Sequence, residues 1–353
     1  MKRALIVLLL LAVAGGLFAQ SVAFSGHAIS GIMVAVPNEG DTTFHVYNPD
    51  PGAPYRFRFN AAATTASGNA GATGRLHVTP GAISGEYGYA WLKPLDTLTL
   101  YGGKMDNNNW GTGGGFDADG GVGSQTGVLV RFDPIAGLSL GASVNPKDLE
   151  IAKTDFRVGL KYSMASLFNA VANLTYDGSA KDGDGKTDAN VGFDYVGLSG
   201  LGLSKLAVDV QAVDLSDLLW LGIGPRIHFA LGDFSAGVRA KVFLPMGDSE
   251  DDLDAAATVW GQYVLGSITA KLGIGYELNG APKAANETGS FEYREWDGLP
   301  GAIGGGENSL LIAKPSVTFN IGGGSLEVGY SLTTEVGGDN TRHAIFAGFN
   351  VGF

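Results

Sequence analysis

Apolar and polar residues alternate along most of this chain, in segments of about ten residues set apart by turn-forming positions. Tyr55-Arg56-Phe57-Arg58-Phe59-Asn60 is among the clearest. Leu138-Ser139-Leu140-Gly141-Ala142-Ser143-Val144 and Phe156-Arg157-Val158-Gly159-Leu160-Lys161-Tyr162 repeat the pattern, as do the stretches 206–212, 236–242, 268–276 and 326–332. A strand turns successive side chains to opposite faces, so each segment has one apolar face and one wet or small face. A soluble β-sandwich also alternates, but seldom over so many strands of one length. The pattern therefore predicts an all-β chain folded as an antiparallel transmembrane β-barrel. Roughly eighteen strands are expected, with sixteen as the alternative count because Thr64 to Gly74 and its neighbours read as irregular.

The links between segments alternate in length. Short ones lie at Pro94-Leu95-Asp96, Asp133-Pro134-Ile135-Ala136-Gly137, Ala165-Ser166-Leu167-Phe168, Leu231-Gly232-Asp233, Leu265-Gly266 and Ile321-Gly322-Gly323-Gly324. Longer links rich in Gly, Asp and Asn fall at 37–53, 106–124, 177–188, 244–254 and 278–308. Outer-membrane barrels have short periplasmic turns and longer outside loops. With both chain ends on the short-turn side, this alternation requires an even number of strands.

The two ends carry further signals. Lys2 and Arg3 precede an apolar run from Ala4 to Ala14, too short to span a bilayer, and Leu17-Phe18-Ala19 predicts cleavage before Gln20. Residues 1–19 are thus expected to be a cleaved signal peptide and 20–353 one barrel, since no linker or change of texture divides the rest. At the other end, Ile345, Ala347, Phe349, Val351 and Phe353 fall on one side of an extended strand. Gly348, Asn350 and Gly352 fall on the other, with Phe346 as the exception.

Composition removes several classes. Hydrophobic residues make up 45% of the chain, which is too many for disorder. The 56 glycines have no three-residue period, so collagen is excluded. There is no cysteine for a disulfide framework or a lipoprotein anchor. The formal charge is −12, becoming −14 without Lys2 and Arg3, and an acidic chain is a poor partner for nucleic acid.

From its leader to an amphipathic last strand closing on Phe349, Val351 and Phe353, the chain resembles a Gram-negative outer-membrane porin. That resemblance implies a water-filled channel in the outer membrane for passive diffusion of small hydrophilic solutes and ions. It further implies a homotrimer among lipid and lipopolysaccharide, with Phe349, Val351 and Phe353 read by the barrel assembly machinery. In porins the third outer loop narrows the pore. Here that link is 106–124, whose Trp110, Phe116, Asp117 and Asp119 suit a constriction; its glycine content departs from the family, and a flexible outer loop is the alternative. No cofactor is implied.

If the apolar face meets lipid, parity assigns the pore-lining side chains. The basic ones are Arg56, Arg58, Arg75, Arg131, Arg157, Lys161, Arg226, Arg239, Lys241, Lys271 and Lys314. The acidic ones are Glu86, Asp155, Asp194, Asp209 and Glu327, so bases lead by roughly two to one and an anion preference is expected. The alternative is that these charges pair and stiffen the wall. Tyr87, Tyr89, Trp91, Tyr162, Tyr176, Tyr276 and Tyr330 are expected on the apolar face, where they suit an interfacial girdle better than sugar stacking.

Sharper motifs do not hold. Asp182-Gly183-Asp184-Gly185-Lys186-Thr187-Asp188 alternates oxygen ligands at first, but Lys186 takes the next ligand position and the closing glutamate is missing, so no metal site is expected. Gly113-Gly114-Gly115 and Gly222-Ile223-Gly224-Pro225 precede no helix and cradle no phosphate. His27, His45, His77, His228 and His343 are scattered, and no catalytic arrangement is found. Beside the porin reading stand a substrate-specific transporter for hydrophobic compounds or sugars and a structural or adhesive surface protein. A first strand beginning near Val22 leaves no room for the hatch of a hydrophobic-compound channel, and the 278–308 link is the adhesin's only support.

Overall fold

The computed structural model describes residues 19–37, 41–46, 56–79, 82–105, 126–146, 154–164, 167–178, 185–195, 202–215, 220–246, 253–278 and 309–353. Among them are nineteen strands and no membrane-spanning helix. In chain order these are β1 (Ala19–Pro37), β2 (Thr43–Val46), β3 (Arg56–Thr65), β4 (Ala70–Thr79), β5 (Ala82–Leu95), β6 (Leu98–Lys104) and β7 (Thr126–Ile135). Then come β8 (Leu138–Asn145), β9 (Asp155–Met164), β10 (Phe168–Asp177), β11 (Lys186–Tyr195), β12 (Leu203–Val213) and β13 (Trp220–Leu231). The last are β14 (Phe234–Pro245), β15 (Asp254–Leu265), β16 (Ile268–Glu277), β17 (Leu310–Ile321), β18 (Gly324–Glu335) and β19 (Thr341–Gly352).

Each strand from β3 to β19 pairs antiparallel with the next, and β19 pairs back onto β1, so the sheet closes. β1 is long enough to hold two partners on its other edge. Its residues 19–29 pair with β3 and its residues 32–35 with β2. β2 and β3 therefore share one place in the wall, and the nineteen strands make a closed barrel of eighteen. The Thr64 to Gly74 stretch is an ordinary hairpin from β3 to β4, which removes the sixteen-strand alternative. One expectation fails locally: the 37–53 link contains β2, whose backbone extends the wall beside Ile32 to Ala35.

The short turns show why the chain reverses where it does. Gly232, Gly266 and Gly322 have φ of 58°, 60° and 51° and open the two-residue links of β13–β14, β15–β16 and β17–β18. A positive φ at the first central position is what a type II′ hairpin turn requires, and glycine supplies it without steric penalty.

Side chains separate by parity around the barrel. Val158, Leu160, Val191, Val208, Val259, Leu272, Ile274, Ile345 and Phe349 are exposed on the outer face. Their strand neighbours Asn173, Asp194, Asp209, Arg239, Lys241, Glu277 and Lys314 are buried on the inner one. This reverses a soluble protein, in which large apolar side chains are mostly buried and charged ones mostly exposed. Phe346, the exception in the last strand, faces inward and packs with Met33, Ala35 and Ala344. The Lys314 ammonium lies 4.7 Å above its ring, a cation–π contact that reconciles an aromatic with a polar face.

Candidate functional site: the inner face of the barrel

Registry brings the predicted inward charges onto one continuous surface. The β1–β3 and β3–β4 ladders align His27 with Arg58 and Asn60 with Arg75. Arg58 and Arg75 both pair with Glu86 on β5, the latter at 3.7 Å, and Arg75 Nε donates to Asn60 Oδ1 at 2.7 Å. Further round, Arg131 Nε donates to Asp133 Oδ1 at 2.9 Å. Ser139 Oγ donates to the same oxygen at 2.5 Å and accepts from Arg131 Nη2 at 3.3 Å. Ser139 is the register partner of Lys161, and Ser143 that of Arg157.

On the opposite arc Arg226 faces Arg239, while Asp209 faces Gly224 two pairs along. Arg226 Nε also bonds His228 Nε2 at 2.8 Å, and His228 meets the Trp260 ring edge-on at 5.2 Å. Asp209, Arg239, Lys241 and Glu277 are buried, and none is free. Lys271 aligns with Gln262 and Ser316, Glu327 with Thr318. Asp155 and Asp194 are also buried on this face. The backbone register puts Arg56 at an inward position opposite Ile29. Trp110, Phe116, Asp117 and Asp119 lie outside the described residues, as do residues 1–18.

Parity overlooked several inward charges at strand ends. Asp133, Asp177 and Asp188 read as link residues, yet β7, β10 and β11 extend through them. Lys186 pairs with Asp188 at 3.7 Å on β11, and Lys205 with Asp194 at 3.8 Å. Glu277 and Lys93 are inward as well. Bases still lead acids, but by much less than two to one.

The aromatic residues divide between the two faces. Tyr162, Tyr276 and Tyr176 lie on the outer face, the first ring 5.9 Å from Phe168 and the last 6.4 Å from Phe156. Tyr330 is there too, its hydroxyl 2.5 Å from His343 Nδ1. Tyr87, Tyr89 and Trp91 instead face inward. The β4–β5 register shifts between Arg75 and Leu76, leaving Glu86 as the extra residue of a β-bulge. One extra residue moves every following side chain to the other face. From there the β5 aromatics align with the inward set of β4 and β6: Arg75 with Tyr87, Thr73 with Tyr89, and Gly71 and Tyr101 with Trp91. The Arg75 guanidinium sits 4.7 Å over the Tyr87 ring.

These rings border open space. A cavity of about 390 Å³ is lined by Tyr89, Trp91, Lys93, Thr99, Tyr101, Arg131 and Asp133. A second, of about 480 Å³, shares Arg131 and Asp133 and adds Ser139, Lys161 and Ser163. Both lie toward the short-turn end of the arc from β4 to β9.

Solved structures share the architecture. Pseudomonas aeruginosa OccK11 matches with a TM-score of 0.59 at 11% identity, covering 95% of this chain and 97% of that one. OpdO of the same organism gives 0.58 at 10% over 95% and 98%, and OprD gives 0.57 at 9% over 95% and 96%. The fold is that of the bacterial porins. At these identities the likeness is one of fold. No protein-family model matches the chain, and no curated protein does.

Proposed function

We propose that this protein is an outer-membrane channel for passive diffusion of small hydrophilic solutes. In this reading it is exported by a cleaved leader, assembled through a signal that includes Phe349, Val351 and Phe353, and seated as a trimer with its short turns in the periplasm. One observation carries the reading: a closed barrel is apolar where side chains are exposed outside and charged within. Ionised groups on the inner wall need water or partners, whereas an apolar outer belt needs lipid. No catalytic role is proposed. The refolded protein should migrate faster on gels before heating than after, as closed barrels do, and should give β-rich circular dichroism in detergent. Recovery as a detergent-free soluble monomer would refute the reading.

The channel is further proposed to prefer anions, because inward bases exceed inward acids and like charge along a narrow aqueous path sets ion preference. The margin is modest, so the preference should be too. In a KCl gradient the reversal potential should report chloride over potassium. Lys161, whose cavity also holds Arg131, is the informative site. Lys161→Glu should lower the chloride-over-potassium preference several-fold, since a two-charge change roughly 8 Å from the ion path moves the two ions by about 1 kcal/mol in opposite senses before salt screens it. Replacing Asp251 and Asp252, which lie outside the described residues, should do much less if they sit more than about 8 Å away at physiological salt. Equal effects from the two changes would leave the inward charges as wall stiffeners.

A further inference from the structure

We propose that the aromatic cavity on β5 and β6 is a binding site for saccharide rings passing through the channel. The proposal rests on the channel reading above and names one solute class for it. The carrying geometry is the inward turn of Tyr89, Trp91 and Tyr101 beside the Arg131–Asp133 pair, in a cavity of about 390 Å³.

The rings form a connected platform. Tyr87 and Tyr89 have centroids 6.1 Å apart, and Tyr89 and Tyr101 are likewise 6.1 Å apart with planes inclined by 62°. Leu129 and Met105 are buried against Tyr89 and Tyr101, which fixes those rings in the wall. Trp91 lies against the bare Cα of Gly71. A Cβ there would come within 2.7 Å of the indole, so the wall has made room for it. A wall that needed only filling could use aliphatic residues, as β7 does with buried Leu129.

A pyranose has polarised C–H bonds on its ring faces and hydroxyls round its rim. The negative face of an aromatic ring suits the former. The rim needs donors and acceptors set side by side, and the cavity wall supplies both. Arg131 donates and Asp133 accepts 2.9 Å apart, while Thr99 and Lys93 complete the edge. Because Arg131 and Asp133 offset one another, the pair offers hydrogen bonds with little net charge. The second cavity continues this edge with Ser139, Ser163 and Lys161, so a chain of sugar units would have further hydroxyl partners beyond Asp133.

The test is current through single channels of the refolded full chain in a planar bilayer, with neutral gluco-oligosaccharides of two to four units added in the millimolar range. Reversible, concentration-dependent interruptions are expected, becoming longer with chain length. Trp91→Leu and Tyr101→Leu should each keep an open channel of similar or larger conductance and weaken the interruptions by about tenfold. Trp91→Phe, which keeps a smaller aromatic face in the same place, should weaken them less than Trp91→Leu. Open channels with no interruption by any neutral sugar would overturn the site while leaving the channel reading intact. So would interruptions that survive both leucine variants, or that occur only with uronic-acid oligomers, since charge alone would then be recognised. Absence of any channel would remove the reading on which the site rests, and the site with it.

Discussion

If the proposed outer-membrane channel is right, exchanging two adjacent residues of β9, Arg157→Val with Val158→Arg, is expected to destabilise the barrel by about 2–4 kcal/mol, the range for an arginine moved onto the lipid face. Composition, charge and length are unchanged by the exchange. Only the faces are reversed. Val158 is 48% exposed on the outer side, whereas Arg157 faces inward opposite Ser143 and Thr175. The swap also takes Arg157 from its present partners, which adds to the loss. Urea titration of refolding into lipid vesicles reads the loss, with the fraction of heat-modifiable species as a second measure. Arg157→Val alone keeps the outer face apolar and should fall well short of the exchange. If the double variant refolds with an unchanged midpoint, then β9 does not present Val158 to lipid and the face assignment is wrong.

That assignment was largely legible beforehand, because period-two alternation follows from strand geometry alone. Arg58, Arg131, Arg157 and Lys161 are inward as alternation requires, and the strand count follows from the hairpins it marks out. What alternation could not show is where the pleat slips. Glu86 adds a residue to β5, and beyond it Tyr87, Tyr89 and Trp91 sit on the face opposite to the expected one. A sequence cue was present in the small residues across the ladder. Gly71, Thr73 and Gly103 leave inward space beside Trp91 and Tyr89, which an inward ring needs and an outward one does not. Strand ends were the other source of error. Asp133 reads as a turn residue beside Pro134, yet it accepts hydrogen bonds from Arg131 and Ser139 on the inner wall. Local composition marks such acids as links, and only tertiary pairing recruits them. β2 was hidden for a related reason: it is four residues long and depends on the length of β1 for its partner.

The seam where the barrel closes should be the most sensitive place in it, since closure is what removes the exposed strand edges. Phe353 extends the β19–β1 ladder past Gly352: its N–H donates to Gly26 O at 3.0 Å and its carbonyl accepts from Gly26 N at 2.8 Å. Its ring stacks on Phe57 of β3 with centroids 5.6 Å apart, so the residue ties β19 to β1 and reaches beyond to β3. Gly26 lacks the Cβ that would collide with that ring. Phe353→Ser removes the ring contact and outward apolar surface, and Phe353→Pro removes the donor as well. Losses of about 1 and 2 kcal/mol are expected, from the ring contact with Phe57 and one backbone hydrogen bond. Phe353→Trp should be tolerated if the seam can spread, whereas Gly26→Val should cost more than Phe353→Ser, because its side chain meets both that ring and the Arg58 carbonyl of β3. Refolding yield in vesicles measures the seam itself, and surface yield in cells adds any recognition of Phe349, Val351 and Phe353 during assembly. A serine variant that refolds normally in vesicles but fails in cells would assign Phe353 to recognition alone. Normal behaviour in both would leave it without either role.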